Sequence, residues 1–180
     1  IRATGDLIAE NFIVSSSVTY MTQSFSSGST IFGDTPADDT HQFTGSLFVT
    51  GSRIELDDGK SNTSVGKAAG DAITTGVANV AIGKGAGTAI TEGDTNVTIG
   101  YNAGELLSTG DHNVLIGANA GKGFDAESYN TVVGKDAFKE NGAAARVTVL
   151  GYQALGGTTT GGADGTIAIG CEALKALTSG

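Results

Sequence analysis

The chain has 180 residues with 29 Gly, 1 Pro, no Trp, 6% aromatic residues and a formal net charge of −9. Glycine stands at about twice its usual share of roughly 7%, which argues for many tight corners rather than a globule built on large side chains. The acidity is even: 3 basic against 8 acidic groups give −5 over residues 1–61, and 7 against 11 give −4 over 62–180. No basic patch meets a nucleic acid or an anionic membrane, and no apolar run nears the roughly 18 residues of a spanning helix.

A single cysteine, Cys171, excludes an internal disulfide framework. No basic start with an apolar core marks a signal peptide. The chain starts at Ile1 and stops within a pattern at Gly180, so it reads as a piece of a longer protein.

In chain order, "LIAENFIV" (7–14) fits a short helix or a strand equally. Residues 15–52 are rich in Ser and Thr, with β-branched and aromatic residues interrupted by Gly33, Pro36 and Asp38–Asp39. That composition predicts short strands and turns. "TGS" at 44–46 and again at 50–52 suggests a narrow intertwined stem, and "LDDGKSN" (56–62) a junction. The domain reading is therefore 1–61, a β-rich stem or connector, and 62–180, a repeat domain.

The repeat is legible in its columns. Gly recurs at 66, 83, 100, 117, 134, 151 and 170, at five intervals of 17 and one of 19, the extra pair lying in "GGTTTGGADG" (156–165). Three residues after each Gly stands Ala, from Ala69 to Ala173. One before stands an aliphatic: Val65, Ile82, Ile99, Ile116, Val133, Leu150, Ile169. Four before stands Asn in five units: Asn62, Asn79, Asn96, Asn113, Asn130. Self-similarity at a fixed short period marks a repeat architecture.

Seventeen residues are too few for a helical hairpin. "NVAIG" alternates with period two, and the spacers "TEGDT" (91–95) and "STGDH" (108–112) are turn chemistry. Each unit therefore reads as one rung of an all-β parallel β-solenoid of seven coils. The aliphatic column before Gly is expected to form the dry repeat core, and the Asn column an amide ladder. The column two before Gly is expected to face outward. Because it turns apolar at Leu115, Val132 and Val149, and strands apolar on both faces are covered on both, it is expected to lie between subunits.

The phrase N-x-x-I-G-x-x-A-G with a Thr/Gly/Asp spacer resembles the head repeats of trimeric autotransporter adhesins and related repeats of bacteriophage tail fibres. The resemblance covers 62–180 and implies left-handed parallel β-rolls with three chains side by side. It weakens late, where the Asn column becomes Val147 and Thr166 and the fourth residue after Gly becomes Phe138, Leu155 and Leu174. Residues 15–52 resemble fibre segments of marine bacteriophages. Together these imply a homotrimeric tail or head fibre on the surface of a phage or virus-like particle. It would contact other particle components and present a surface to a host-cell glycan or protein. The alternative is the head of a bacterial trimeric surface adhesin. Receptor contacts are expected from the spacers that depart most from consensus: Phe124, Tyr129, Thr158, Thr159 and Thr160.

Chemistry is expected to be absent. "GKGAG" (83–87) lacks the third Gly of a dinucleotide fingerprint, since position 88 is Thr88, and "GKS" (59–61) lacks the first Gly of a P-loop, since position 54 is Ile54. His41 and His112 sit in turns. Asp38, Asp39, Asp57, Asp58, Asp94 and Asp111 follow no calcium-loop spacing. Glycoside cleavage would need a facing carboxylate pair, and none can be nominated. No cofactor, catalytic residue, metal site, nucleic acid or membrane insertion is expected.

Overall fold

The computed structural model describes residues 58–140, 144–157 and 163–176, all in one unit of the chain, Val49–Gly180. The expectations for the stem, for the 7–14 segment and for His41, Asp38, Asp39 and Asp57 lie outside these residues.

Seven strands of three residues follow one another: β1 (Thr63–Val65), β2 (Val80–Ile82), β3 (Val97–Ile99), β4 (Val114–Ile116), β5 (Thr131–Val133), β6 (Thr148–Leu150) and β7 (Ile167–Ile169). They form one parallel sheet in sequence order. Equivalent positions stack, as Thr98 on Leu115 on Val132, so the chain is an all-β parallel solenoid with one strand per 17-residue turn. The longer interval before the last Gly leaves the register intact, because Thr148 pairs with Ile167 and Leu150 with Ile169.

Each strand stops at the repeat Gly. There φ lies between +122° and +137°, a backbone state in which a side chain is strained. A second reason is proximity. A Cβ on Gly100 would lie 2.7 Å from the backbone carbonyl of Gly117, and one on Gly117 would lie 2.6 Å from that of Gly134. The Gly column is thus where successive coils touch backbone to backbone.

The face of the period-two pattern that points inward is the opposite of the one expected. Leu115, Val132 and Val149, expected between subunits, are 0% exposed within one chain, as are Ala81 and Thr98 in the same column. The expected repeat core faces outward: Val65, Ile82, Leu150 and Ile169 are 37 to 62% exposed, and Ile99, Ile116 and Val133 are half-buried. The physical reason is shared parity. The Asn column and the column two before Gly lie on the same side of a strand, and the buried asparagines need the carbonyls and amides found inside the coil. The Ala column after the corner, from Ala86 to Ala154, closes the interior opposite.

The bulk of the core moves between two positions. In the early coils it sits seven residues after Gly, at Ile90, Leu107 and Phe124, all buried. The position four after Gly must then be Gly, since a Cβ on Gly87 would lie 2.7 Å from Ile90 Cδ1 and one on Gly121 would lie 2.8 Å from the Phe124 ring. From the fifth coil the seventh position is Asn141 and then Thr158, and Phe138 and Leu155 fill the interior from the fourth position instead. They do so at φ of +41° and +47°, a left-handed state costing about 1–2 kcal/mol per residue. Phe124 and Phe138 meet edge to face, ring centroids 4.8 Å apart, where the two arrangements adjoin.

Inside runs the amide ladder. Asn79 Oδ1 accepts the Asn96 backbone N–H at 2.9 Å and its Nδ2 at 3.1 Å, while Asn96 Nδ2 also donates to Gly110 O at 2.8 Å. The pattern starts at Asn62 and reaches Asn130, whose Oδ1 accepts the Val147 N–H at 3.0 Å. Val147 offers no side-chain acceptor to the next rung, and the Thr166 N–H turns to Ala163 O instead.

Asp58 closes the other end. Its Oδ1 accepts the backbone N–H groups of Lys60 and Asn62, and its Oδ2 accepts Asn62 Nδ2 at 2.8 Å. A carboxylate here replaces the amide oxygen of a preceding rung. The Asn62 side-chain bond, followed by the two backbone bonds, holds the Asp58 carboxyl below its ordinary value of 3.8. A depressed folded-state pKa adds stability that is present above the unfolded value and lost as pH falls through the folded one. The first coil is therefore expected to fray in acid: NMR shifts of the Asn62 amides should be flat above about pH 5 and move below it. Asp58→Asn should remove that step. A titration identical in the variant would show that Asp58 is not the cap.

Candidate functional surfaces

Three outward features of the rod are formed by stacked columns. The first is the aliphatic face. On each strand the residues one and three before Gly point out together, pairing Val80 with Ile82, Val97 with Ile99, and Val114 with Ile116. At the last strand Ile167 and Ile169 are both well exposed. Register carries the aliphatic column just before Gly over seven strands, while the column three before Gly is Thr63, Thr131 and Thr148 on three of them. Sequence reasoning puts both columns on one side of the strand, as at Val80 and Ile82, but assigns that side to the interior.

The second feature is the row of spacer corners. Five residues before Gly, Thr95, His112, Tyr129 and Arg146 each take a left-handed conformation and project at successive levels. The His112 and Tyr129 rings stack with centroids 5.1 Å apart and planes 21° from parallel. One position earlier runs a row of acceptors: Asp94 Oδ1 takes the Val77 N–H, Asp111 Oδ1 takes the Asp94 N–H, and Ser128 Oγ takes the Asp111 N–H. The turn carboxylates considered for calcium thus satisfy backbone donors of the preceding coil. Among the described residues no group of three or more His, Cys, Asp or Glu could hold a metal ion.

The third feature is the column just past Gly. Lys84 lies over the Tyr101 ring and Lys135 over the Tyr152 ring, each at 5.8 Å. Cys171 occupies this column and is exposed. Alongside, Lys122 Nζ and Glu105 Oε2 pair at 2.7 Å, and that bond raises the Lys122 pKa.

Of the expected contact residues, Tyr129 is 62% exposed. Phe124 is 1% exposed and belongs to the core, so it is not available to a partner. It fills the same slot as Ile90 and Leu107, and its column could have shown this. Thr158, Thr159 and Thr160 lie outside the described residues. Arg146, which sequence reasoning did not single out, joins Asp164, the last residue of the 156–164 spacer expected to make contacts, at 3.3 Å between adjacent coils next to Tyr129. Among the described residues no helix is long and apolar enough to cross a membrane.

The fold and these columns define a parallel β-solenoid repeat protein. No family model, curated protein or solved structure matches the chain.

Proposed function

We propose that this chain is a segment of a homotrimeric fibre on the outside of a phage or virus-like particle, and that it holds a receptor-binding surface away from the particle body. The observation that carries the proposal is the continuous aliphatic stripe on the outward face of the sheet. A contiguous exposed apolar surface of this kind marks an interface, and parallel sheets are covered on both faces. Because the stripe is in register at every level, identical chains set side by side about a common axis cover it along its whole length. The number three comes from the resemblance of the repeat phrase, which also supports the fibre reading. Subunits meet through Ile82, Ile99, Ile116 and their neighbours, and not through Leu115, Val132 and Val149, which each chain buries for itself.

The rod's task is mechanical. Threefold repetition multiplies any weak surface contact by raising the effective concentration of the second and third. The proposal gives the chain no catalytic role.

Light scattering tests it. The wild type is expected at three times 17.9 kDa. Ile99→Asp places a charge on the outward stripe, so it should yield a folded monomer with an unchanged β-type circular dichroism spectrum. A monomeric wild type, or an Ile99→Asp protein that associates normally, would overturn the proposed interface.

A further inference from the structure

We infer that the groove between Tyr129 and Asp164 binds a neutral pyranose sugar. The inference deepens the receptor-presenting reading above and rests on it.

The groove arises where the repeat loses its side chains. At the levels above and below, the row of acceptors carries Ser128 and Asp164, but in the sixth coil the same position is Ala145, preceded by Ala144. The corner row then ends, with Arg146 followed by Gly165 at the next level. These small residues leave an open groove of about 390 Å³ lined by Glu127, Tyr129, Ala145, Arg146 and Asp164.

Its walls have complementary chemistry. Tyr129 offers an exposed ring held by the stacked His112 ring, a flat apolar platform for the C–H face of a sugar. Asp164, largely exposed, is bonded on two sides: Oδ1 accepts the Ala145 N–H at 2.8 Å and Oδ2 accepts Arg146 at 3.3 Å. The carboxylate keeps free lone pairs, and the guanidinium has five N–H donors of which this bond uses one. Paired donors and acceptors beside an aromatic face suit adjacent hydroxyls. The ligand is neutral because Glu127 and Asp164 outnumber Arg146 in the groove and the chain carries −9 overall. That field opposes sialic acid, uronic acids and phosphates.

Ligand-observed NMR on the full chain tests this, using the methyl glycosides of glucose, galactose and mannose as neutral probes and methyl sialoside as the acidic one. At least one neutral glycoside is expected to bind saturably and the sialoside not to bind. Tyr129→Ala and Arg146→Ala should each weaken binding about tenfold or more without moving the melting temperature. Tyr152→Ala, an exposed tyrosine in another column, should change neither. Absence of binding by all three neutral probes, preference for the sialoside, or binding that survives Tyr129→Ala would each overturn the inference. The groove lies within a single chain, so the outcomes separate. A trimer that binds no sugar sinks this inference alone, and a sugar-binding monomer sinks the association reading alone.

Discussion

Gly117→Ala is expected to prevent folding of the solenoid or to destabilise it by about 4 kcal/mol or more, whereas Gly170→Ala should cost about 1–3 kcal/mol. Both positions have nearly the same backbone, with φ of +130° and +126°, so conformational strain is common to the two. They differ in what stands next to the new methyl group. At Gly117 it would meet the Gly134 carbonyl oxygen at 2.6 Å and carbon at 2.7 Å, while at Gly170 the nearest atom among the described residues is Ala173 Cβ at 3.8 Å. Backbone atoms cannot swing aside as the end of a side chain can. Relief would require the two coils to part, breaking the flanking bonds from Gly134 N to Ile116 O and Asp136 N to Ala118 O. Urea unfolding followed by circular dichroism measures the difference. Equal losses for the two variants would show that φ alone explains the Gly column and that close stacking does not.

The second large effect is expected at the amide ladder. Asn96→Leu keeps approximate size but removes four hydrogen bonds: those from Asn113 N and Nδ2 to Asn96 Oδ1, and those from Asn96 Nδ2 to Asn79 Oδ1 and Gly110 O. Asn113 Nδ2 keeps Glu127 O, and Asn79 Oδ1 keeps the backbone N–H of residue 96. The Asn113 N–H and the Gly110 carbonyl lose the partner that Asn96 supplies. A buried polar group left unpaired costs about 1–3 kcal/mol, so the loss for the two groups should be about 2–6 kcal/mol. Asn130→Leu should cost roughly half as much, since only the Val147 N–H loses its acceptor there. Thermal melts of the two variants check the ordering. Equal stability of Asn96→Leu and wild type would reduce the column to filler.

Much of this architecture is written plainly in the residues. Period 17, parallel stacking and the position of each strand follow from the recurrence of Gly and from the alternation before it. What alternation does not supply is its sign. Period two states that Ala81 and Ile82 face opposite ways, but the larger and more regular aliphatic column invites the interior, and here that column faces outward. Two columns carried the missing information. Asn79 shares its side with Ala81, and an unbroken Asn column makes sense only where its amides find buried partners. Ser64, Ala81 and Thr98 are small, as the inside of a narrow coil beside the Ala column requires. The late departures were legible as added bulk, but not as the exchange between Phe124 and Phe138. That exchange appears only when positions four and seven after Gly are seen competing for one space. The groove was partly legible, through Tyr129. Its other wall, Asp164, comes from the far side of an irregular spacer whose length hides the alignment.

The two residues added before the last coil have a consequence for how such a molecule can vary. They enter at a corner and leave β6 and β7 in register, so the stack tolerates change between rungs while each rung stays fixed. Whole units can be gained or lost in the same way within the Asn62–Asn130 stretch, because each coil there presents its successor with the same backbone carbonyls, the same amide oxygen and an aliphatic just before Gly. Reach then becomes a digital property of the gene, adjustable in steps of about 4.8 Å with no existing contact redesigned.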